Sequence, residues 1–349
     1  MRVLLTGATG VVGGEIAAQL ANEGLEVFCL VRGVSEEQAQ VRLDNRLLKS
    51  KLYKGHAIKA VLGDLHNDDI GLGDGKYDIV VHAAAETTFN KADLCQKTNV
   101  EGTQKVLEFS KRAGVGLFCY ISTACNVGKI ADVCLHEDDG CKVDNEHHNC
   151  YTQTKAIAEQ SVRDSGLPFL VIRPSIILSD TIDDRTFARQ ICWFAPLLFL
   201  FEAVPLNPHA RCDIVPVSFL AKYVTKLLLK PRRLYDCYHI SAGTEGYFTT
   251  SEWIEEIKRC GKYTNRPKLV DAREWTKQMT TDNVTTPTHE KAWGGLKYYF
   301  PFMGMDVVYS NDRLIEEFGE LELPRLHTYL AQILAQVTLE EALGESSAP

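Results

Sequence analysis

The 349-residue chain has no Cys-x-x-Cys pair, no lysine or arginine run, no internal repeat and no low-complexity segment. Each absence narrows the field. Lysine and arginine number 38 against 46 acidic residues, a net charge of −8, so the footprint of a nucleic-acid binder or a polybasic membrane-surface protein is missing. The longest apolar run, Ile191 to Phe201, is interrupted by Pro196 and is too short to span a bilayer. Met1 leads straight into Arg2-Val3-Leu4-Leu5-Thr6-Gly7 without an apolar leader, which predicts a cytoplasmic protein. The 11 cysteines are odd in number and scattered, and predict reduced thiols. Cys134, His136, Cys141, His147, His148 and Cys150 have zinc-ligand chemistry, but their spacing fits no zinc module; the expectation is no metal.

What is present is ordinary globular material, 45% hydrophobic and 24% charged. At about 150 residues per domain the length suits two units, or one large unit with an appendage. Short apolar runs at Val3–Leu5, Val27–Val31, Ile79–Val81, Phe118–Ile121 and Phe169–Ile172 alternate with helix-like stretches near 13–23, 35–50, 91–113 and 151–165. That alternation predicts an α/β fold, a parallel sheet with helices on both faces. The strand runs are continuously apolar, as burial of both faces requires. Beyond Pro174 the rhythm breaks, to return as a strand at Ile214–Val217, a helix at 218–230 and a strand at 237–241. Residues 1–174, with returns from about 213–242, are expected to form the doubly wound, Rossmann-type domain. Residues 175–212 and 243–349 are expected to form a smaller substrate-binding lobe.

Thr6-Gly7-Ala8-Thr9-Gly10-Val11-Val12-Gly13 follows the first strand and opens the first helix. Glycines at 7, 10 and 13 permit a tight turn, close backbone approach to a pyrophosphate, and close helix–strand packing; the helix N-terminus offers free N–H groups to the anion. Gly7, Thr9, Gly10, Val11, Val12 and Gly13 are the expected phosphate-binding segment. The second strand ends at Val31-Arg32-Gly33. An acidic residue there would hold the ribose 2′-hydroxyl of NAD, whereas an arginine accommodates a 2′-phosphate. Arg32, with Arg42 as a second cation, predicts NADPH. After the third and fourth strands stand Asp64 and Leu65, then Ala83, Ala84 and Ala85. The aspartate suits the adenine amino group, and the small residues suit close approach to the adenosine ribose.

Tyr151 and Lys155 share a helix face at i,i+4 spacing. A protonated lysine beside the phenol predicts a lowered tyrosine pKa and general acid/base work near neutrality. Tyr151 is the only tyrosine with a lysine four residues on. It opens the helix after the strand ending Ile121-Ser122-Thr123, where a hydroxyl can meet it.

Together these residues resemble an extended short-chain dehydrogenase/reductase. The resemblance rests on Thr6-Gly7-x-x-Gly10-x-x-Gly13, Gly63-Asp64-Leu65, His82-Ala83-Ala84, Thr98-Asn99-Val100-Glu101-Gly102-Thr103, Ser122-Thr123, Tyr151-x-x-x-Lys155 and Arg173-Pro174-Ser175. Within that superfamily the chain is similar to the thioester-reductase branch, male-sterility and fatty-acyl-reductase-like. The segments that carry this are Cys29–Leu43, His82–Phe89, Thr98–Leu107 and Asp213–Ala221. The likeness covers about 1–230 well and the last third loosely. It implies a catalytic triad of Thr123, Tyr151 and Lys155, with Tyr151 and Lys155 also at the cofactor and Lys155 holding its ribose. The hydroxyl falls on Thr123 by its place five residues before Gly128, with Ser122 as understudy. Asn99 joins the cofactor site by the same resemblance, and Pro174, Ser175, Ile176 and Ile177 would lie beside the nicotinamide. Ile176–Asp180 lacks the glycine that commonly follows this strand, which predicts a different local loop. Asn149-Cys150 stands before Tyr151 where a glycine is often seen.

The function expected is NADPH-dependent reduction of an apolar acyl thioester, carrier- or CoA-bound, to an aldehyde and then, with a second hydride, an alcohol. No carrier module is evident, so an acyl or peptidyl carrier would act in trans; the assembly is monomer or homodimer. The alternative is an NADP-dependent oxidoreductase of a free ketone, aldehyde or hydroxyl substrate with the same triad. A sugar-nucleotide epimerase or dehydratase fits Arg32 poorly, although Arg185, Arg189 and Arg211 are available to a diphosphate. A non-enzymatic NADP sensor would be expected to lose Tyr151 or Lys155. The stretch 191–201, with Phe199 and Phe201, is read either as acyl-pocket lining or as core packing.

Overall fold

Parallel strands that are apolar on consecutive residues need cover on both faces, and the chain supplies it. The computed structural model describes residues 1–181, 194–323, 325–334 and 339–343. Its main sheet contains β1 (Arg2–Thr6), β2 (Glu26–Val31), β3 (Ile58–Leu62), β4 (Ile79–His82), β5 (Leu117–Ile121), β6 (Phe169–Pro174) and β7 (Cys237–Ile240). All pair in parallel, in the order β7-β6-β5-β4-β1-β2-β3. This is the doubly wound α/β sheet expected. The strand order reverses between β1 and β4, where Thr6 lies opposite His82, so the loops after these two strands part and leave a crevice.

Side chains alternate across the sheet. Val3, Leu5, Val81 and Ile172 face helices α1 (Val11–Asn22), α2 (Glu36–Leu47) and α5 (Val217–Leu229). Leu4, Val80, Phe118 and Val171 face α3 (Gly102–Ala113) and α4 (Cys150–Arg163). Ser35 caps α2 by accepting from Gln38 N, with Glu36 and Glu37 in the first turn. Gly114, left-handed at φ 66°, ends α3. The helix expected across 91–113 is divided: a short α-turn at Ala92–Cys95 runs into a π-helical turn at Gln96–Glu101 before α3 begins. Such insertions collect at functional sites, and this one carries Asn99.

A second apolar core gathers Phe194, Phe201, Trp253, Ile254, Leu296 and Leu330. Between it and the main sheet lies a small sheet in which the strands Phe248–Thr249, Arg211–Cys212, Val307–Tyr309 and Val133–Leu135 are neighbours in that order. The departure at residues 176–180 turns out to be a strand, Ile176–Leu178, paired in parallel with Ile214–Pro216. Among the described residues no helix is long and apolar enough to cross a membrane.

Helix α4 is fixed at both ends. The Asn149 side chain caps its start, accepting from Thr152 N at 3.0 Å. Near its end the buried Glu159 carboxylate accepts from Arg173 on β6 at 2.6 and 3.0 Å, from Arg163 at 3.0 Å, and from Ser122 and Asn126 just after β5, each at 2.7 Å. Burial pushes this carboxyl up, but the arginines and the Ser122 hydroxyl outweigh it and hold the group below the ordinary carboxylate range. Breaking such a pair strands a buried charge. Arg173→Met is expected to cost about 3–5 kcal/mol in a urea unfolding curve, with part of the loss recovered when Glu159→Met is added. An Arg173→Met variant as stable as the parent would remove this network from its place in the fold.

Candidate functional site

The first side of the site is the turn from β1 into α1. Gly7 is left-handed at φ 81°, and a Cβ there would stand 2.6 Å from Ala84 N; one on Gly13 would stand 2.4 Å from the Gly7 carbonyl. Two strand ends therefore press together through glycine. Ala83 N donates to the Thr6 carbonyl at 3.2 Å, and Ala84 N to the Thr6 hydroxyl at 3.3 Å. Gly10 caps α1 without a side-chain bond, and Thr9 and Gly10 are exposed, so the α1 N-terminus can present its amides to an anion. This turn, packed too closely for a Cβ at Gly7 or Gly13 and ending in exposed helix N-terminal residues, fits a dinucleotide diphosphate.

The turn is held from below by Arg46, a residue no sequence motif marks. Its Nε donates to the Gly10 carbonyl at 3.0 Å, and its Nη2 donates to the Val11 carbonyl at 3.0 Å and to buried Glu15 at 2.8 Å. Ser50 completes the Glu15 carboxylate at 2.6 Å. The i,i+4 step from Arg42 along α2 was the available signal. Arg32 and Arg42 are both exposed, and the Arg42 guanidinium donates to the Arg32 carbonyl at 2.6 Å, which brings two cations to the end of β2. Asp64 is half-buried and accepts from His66 N at 3.0 Å. Leu65 puts its side chain in the core, and its carbonyl accepts from Lys105 Nζ at 3.4 Å. Ala83, Ala84 and Ala85 are half-buried along the crevice. His82 is a core bridge, 2.6 Å from the Thr6 hydroxyl and 2.9 Å from that of Thr103; burial and then the Lys155 charge push its pKa down to about 3, so the ring is neutral.

The second side is the start of α4 against the end of β5. Ser122 is turned away to Glu159, which leaves Thr123 as the hydroxyl that acts on the Tyr151 phenol. The two candidate hydroxyls are thus separated by the buried carboxylate. Burial pushes the Tyr151 phenol above its ordinary range, with the Thr123 hydrogen bond working the other way. This differs from the lowering expected of a neighbouring lysine, and the reason is where the lysine goes. Lys155 Nζ donates to the Ile121 carbonyl at 2.6 Å and stands 4.1 Å from the centre of the Tyr120 ring. Burial pushes its own pKa down to about 7, opposed by the Glu159 carboxylate one turn on. Asn99 is buried and clamps the Glu86 backbone, accepting from its N at 2.8 Å and donating to its O at 3.0 Å; it also donates to Thr154 on α4 at 3.0 Å. Asn99 therefore ties the loop after β4 to the tyrosine helix. Phe89 from that loop stacks on Tyr151, ring centres 6.4 Å apart.

Beside Thr123 lies a largely apolar cavity lined by Cys125, Ile176, Phe194, Trp253, Met303 and Tyr309, among others. Cys125 N reaches the Thr123 hydroxyl at 3.3 Å, and the Tyr309 hydroxyl donates to the Cys125 sulfur at 3.2 Å. Asp213 lies in the cavity wall, accepting from Ala242 N at 2.8 Å and Tyr309 N at 3.0 Å; burial outweighs these bonds and pushes it up to about 6. Pro174, Ser175 and Ile177 lie with Ile176 along this edge, Pro174 O accepting from Ala124 N and Ser175 N donating to Ile240 O. Phe199 and Phe201 are core instead, against Tyr263 at 4.3 Å and Trp293 at 5.3 Å. Arg185, Arg189 and residues 191–193 lie outside the described residues, and Arg211 is paired with Asp306 at 2.6 Å. The Cys/His-rich loop divides its side chains among separate partners: His147 meets Thr152 and Lys142, Cys141 meets Ala156, and His136 meets Asp312.

Lys155 makes a pH-dependent contribution whose sign is fixed. In the unfolded chain a lysine holds its proton to about pH 10.4, whereas folded Lys155 releases it near 7. Between these values the unfolded state binds the extra proton, so stability rises with pH as the buried charge is removed, by at most about 1.4 kcal/mol per pH unit. The unfolding free energy of the parent relative to Lys155→Met is expected to climb between about pH 6 and about pH 10. A flat difference would mean that Lys155 does not titrate there.

The family model described as male sterility protein, an NAD-binding family, matches residues 5–224. The non-canonical nonribosomal peptide synthetase FrzA of a Cladobotryum species is 25% identical over 366 residues, covering 94% of this chain and 35% of that protein. Carboxylic acid reductase of Mycobacterium marinum is 24% identical over 337 residues, covering 83% of this chain and 28% of that protein. The chain spans 6% to 35% of the length of the first curated relatives it matches. Among solved structures, the terminal R domain from the myxalamid PKS-NRPS biosynthetic pathway shares the fold, with a TM-score of 0.77 at 20% identity, covering 100% of this chain and 92% of that one. The resemblance drawn from the motifs holds. The chain belongs to the male sterility family of NAD-binding proteins.

Proposed function

We propose that this protein is an NADPH-dependent reductase of an apolar acyl thioester, carrier- or CoA-bound, that releases the aldehyde. The observation that carries this reading is the apolar cavity whose wall reaches Cys125, bonded through its N to the Thr123 hydroxyl, with Tyr151 and Lys155 on one helix and the dinucleotide cradle at the neighbouring strand ends. The names of its relatives, a nonribosomal peptide synthetase and a carboxylic acid reductase among them, support the same substrate class.

Gly7, Thr9, Gly10, Val11, Val12 and Gly13 would hold the diphosphate, Arg32 and Arg42 the 2′-phosphate, and Asp64, Leu65, Ala83, Ala84 and Ala85 the adenosine. Pro174, Ser175, Ile176 and Ile177 would border the nicotinamide, with Asn99 positioning the loop between. Bound there, the reduced cofactor supplies hydride to the carbonyl carbon. Thr123 donates a hydrogen bond to the carbonyl oxygen, and Tyr151, kept protonated by its burial, gives that oxygen a proton as charge develops. Lys155, placed by the Ile121 carbonyl, would hold the ribose of the cofactor. The resulting hemithioacetal breaks its C–S bond and leaves aldehyde and thiol. Residues 175–212 and 243–349 supply most of the wall that takes the acyl chain, a function for which a mostly apolar surface suffices.

Tyr151→Phe is expected to lower turnover by about 10²–10⁴-fold while leaving NADPH affinity in place, measured by cofactor fluorescence titration. With a medium-chain acyl thioester, trapped thiol should match NADPH oxidised. Turnover of the free aldehyde or ketone without thiol release would instead make the protein a free-carbonyl reductase. Replacing Arg32 or Arg42 by Ala is expected to weaken NADPH about 10–100-fold, the worth of a hydrogen bond to a charged group, with NADH affinity unchanged. Equal losses for both cofactors would refute the 2′-phosphate assignment.

A further inference from the structure

Cys95 and Cys150 are 55 residues apart in sequence, and their sulfurs are in contact at 3.4 Å. Cys95 closes the short α-turn before the Asn99 π-turn and is fully buried; Cys150 opens α4 one residue ahead of Tyr151 and is half-buried. Both thiols serve one loop. Cys95 donates to the Thr88 carbonyl at 3.3 Å, and Cys150 to the Phe89 carbonyl at 3.3 Å and that of Thr88 at 3.5 Å. This is the loop whose start Asn99 clamps at Glu86 and whose Phe89 ring stacks on Tyr151. The sulfurs thus join three parts that converge on the tyrosine.

We propose that Cys95 and Cys150 are a reversible redox modification site, oxidised to a disulfide by hydroperoxides, and that the bond turns the enzyme off by displacing Phe89 and Tyr151. The switch half of this inference rests on Tyr151 being the proton donor; the disulfide half does not. Cys150, the more accessible sulfur, attacks one peroxide oxygen; the O–O bond breaks, and Cys150 becomes a sulfenic acid with release of water from hydrogen peroxide, or of the alcohol from an organic hydroperoxide. The Cys95 sulfur then attacks the Cys150 sulfur. The S–S bond forms, the S–O bond breaks, and the hydroxide leaves with the Cys95 proton as water. The two thiols give up two electrons and the peroxide takes them. Burial, reinforced by the neighbouring sulfur, pushes the Cys95 thiol up to about 12, so it acts as the resolving partner, faster at alkaline pH. Closing the sulfurs from 3.4 Å to about 2.05 Å draws the start of α4 toward the Cys95 turn, and it removes the S–H donors from the Thr88 and Phe89 carbonyls.

The test treats the full chain with hydrogen peroxide, digests it without reductant, and follows NADPH oxidation on the acyl thioester in parallel. The expected result is a Cys95–Cys150 linked peptide two hydrogens lighter than its parts. Turnover should fall in step with it by about 10²-fold, the cost of a misplacement near 1 Å, and dithiothreitol should restore both. Cys95→Ser and Cys150→Ser should keep basal turnover, form no linked peptide and escape the reversible loss, and Cys95→Ser should accumulate a dimedone-reactive sulfenic acid at Cys150. Absence of the linked peptide, a linked form that keeps full turnover, or equal reversible inactivation of the double Ser variant would each overturn the proposal. An unchanged turnover in Tyr151→Phe would sink the functional reading instead, while the peptide mass still decides the disulfide.

Discussion

The buried carboxylate of Glu159 is the constraint on which the rest of the site depends. A charge without water must be paired and hydrogen-bonded, and this one draws its partners from three elements: Arg163 on its own helix, Arg173 on β6, and Ser122 and Asn126 beyond β5. Tyr151 and Lys155 lie two turns and one turn earlier on the same helix face, so they inherit the position that Glu159 fixes. The network continues outward. Arg173 also donates to the Glu137 carbonyl at 2.7 Å, and Glu137 accepts from His239 N on β7 at 3.0 Å. Gly140 lies so close over the Arg173 guanidinium that a Cβ there would stand 1.9 Å from Nη1. One ion pair therefore sets the tyrosine helix, the two strands beneath it and the loop that covers them.

A second buried pair, Arg46 with Glu15, does for the cofactor side what Arg173 with Glu159 does for the catalytic side. In each case an arginine reaches loop carbonyls while its carboxylate partner sits inside a helix. The β1–α1 turn is short and rich in small residues, and carries few side chains able to hold it. Rigid positions at the two strand-end regions come from these charged struts, a form of preorganisation that places reacting groups without reordering at the moment of reaction.

Much of this was legible in sequence because it is local. Glycines at 7, 10 and 13 between an apolar strand and a helix are readable as a cradle, and Tyr151 and Lys155 share a face by helical geometry alone. The continuous apolar strands announced a doubly covered parallel sheet. Less local features escaped. The resemblance points to Thr123 ahead of Ser122, but the physical reason, that the Glu159 carboxylate takes the Ser122 hydroxyl, needs the packing of α4 on β5. The expected depression of the Tyr151 pKa assumed a lysine free to act on it, whereas Lys155 is engaged by the Ile121 carbonyl and the Tyr120 ring. Residues 176–178, read as an altered loop, are a strand because Ile214–Pro216 returns beside them.

The sequence by itself determined the class of fold and the two chemical motifs, because period, glycine spacing and i,i+4 placement act over a few residues. Tertiary structure alone decided what those motifs face. The cavity draws on residues 125, 176, 194, 211–214, 253, 303, 305–307 and 309, and the 55-residue separation of Cys95 and Cys150 closes to sulfur contact. Such meetings depend on how helices seat on a sheet and on which buried charge claims which partner, energies that belong to the packed whole and to no segment of the chain.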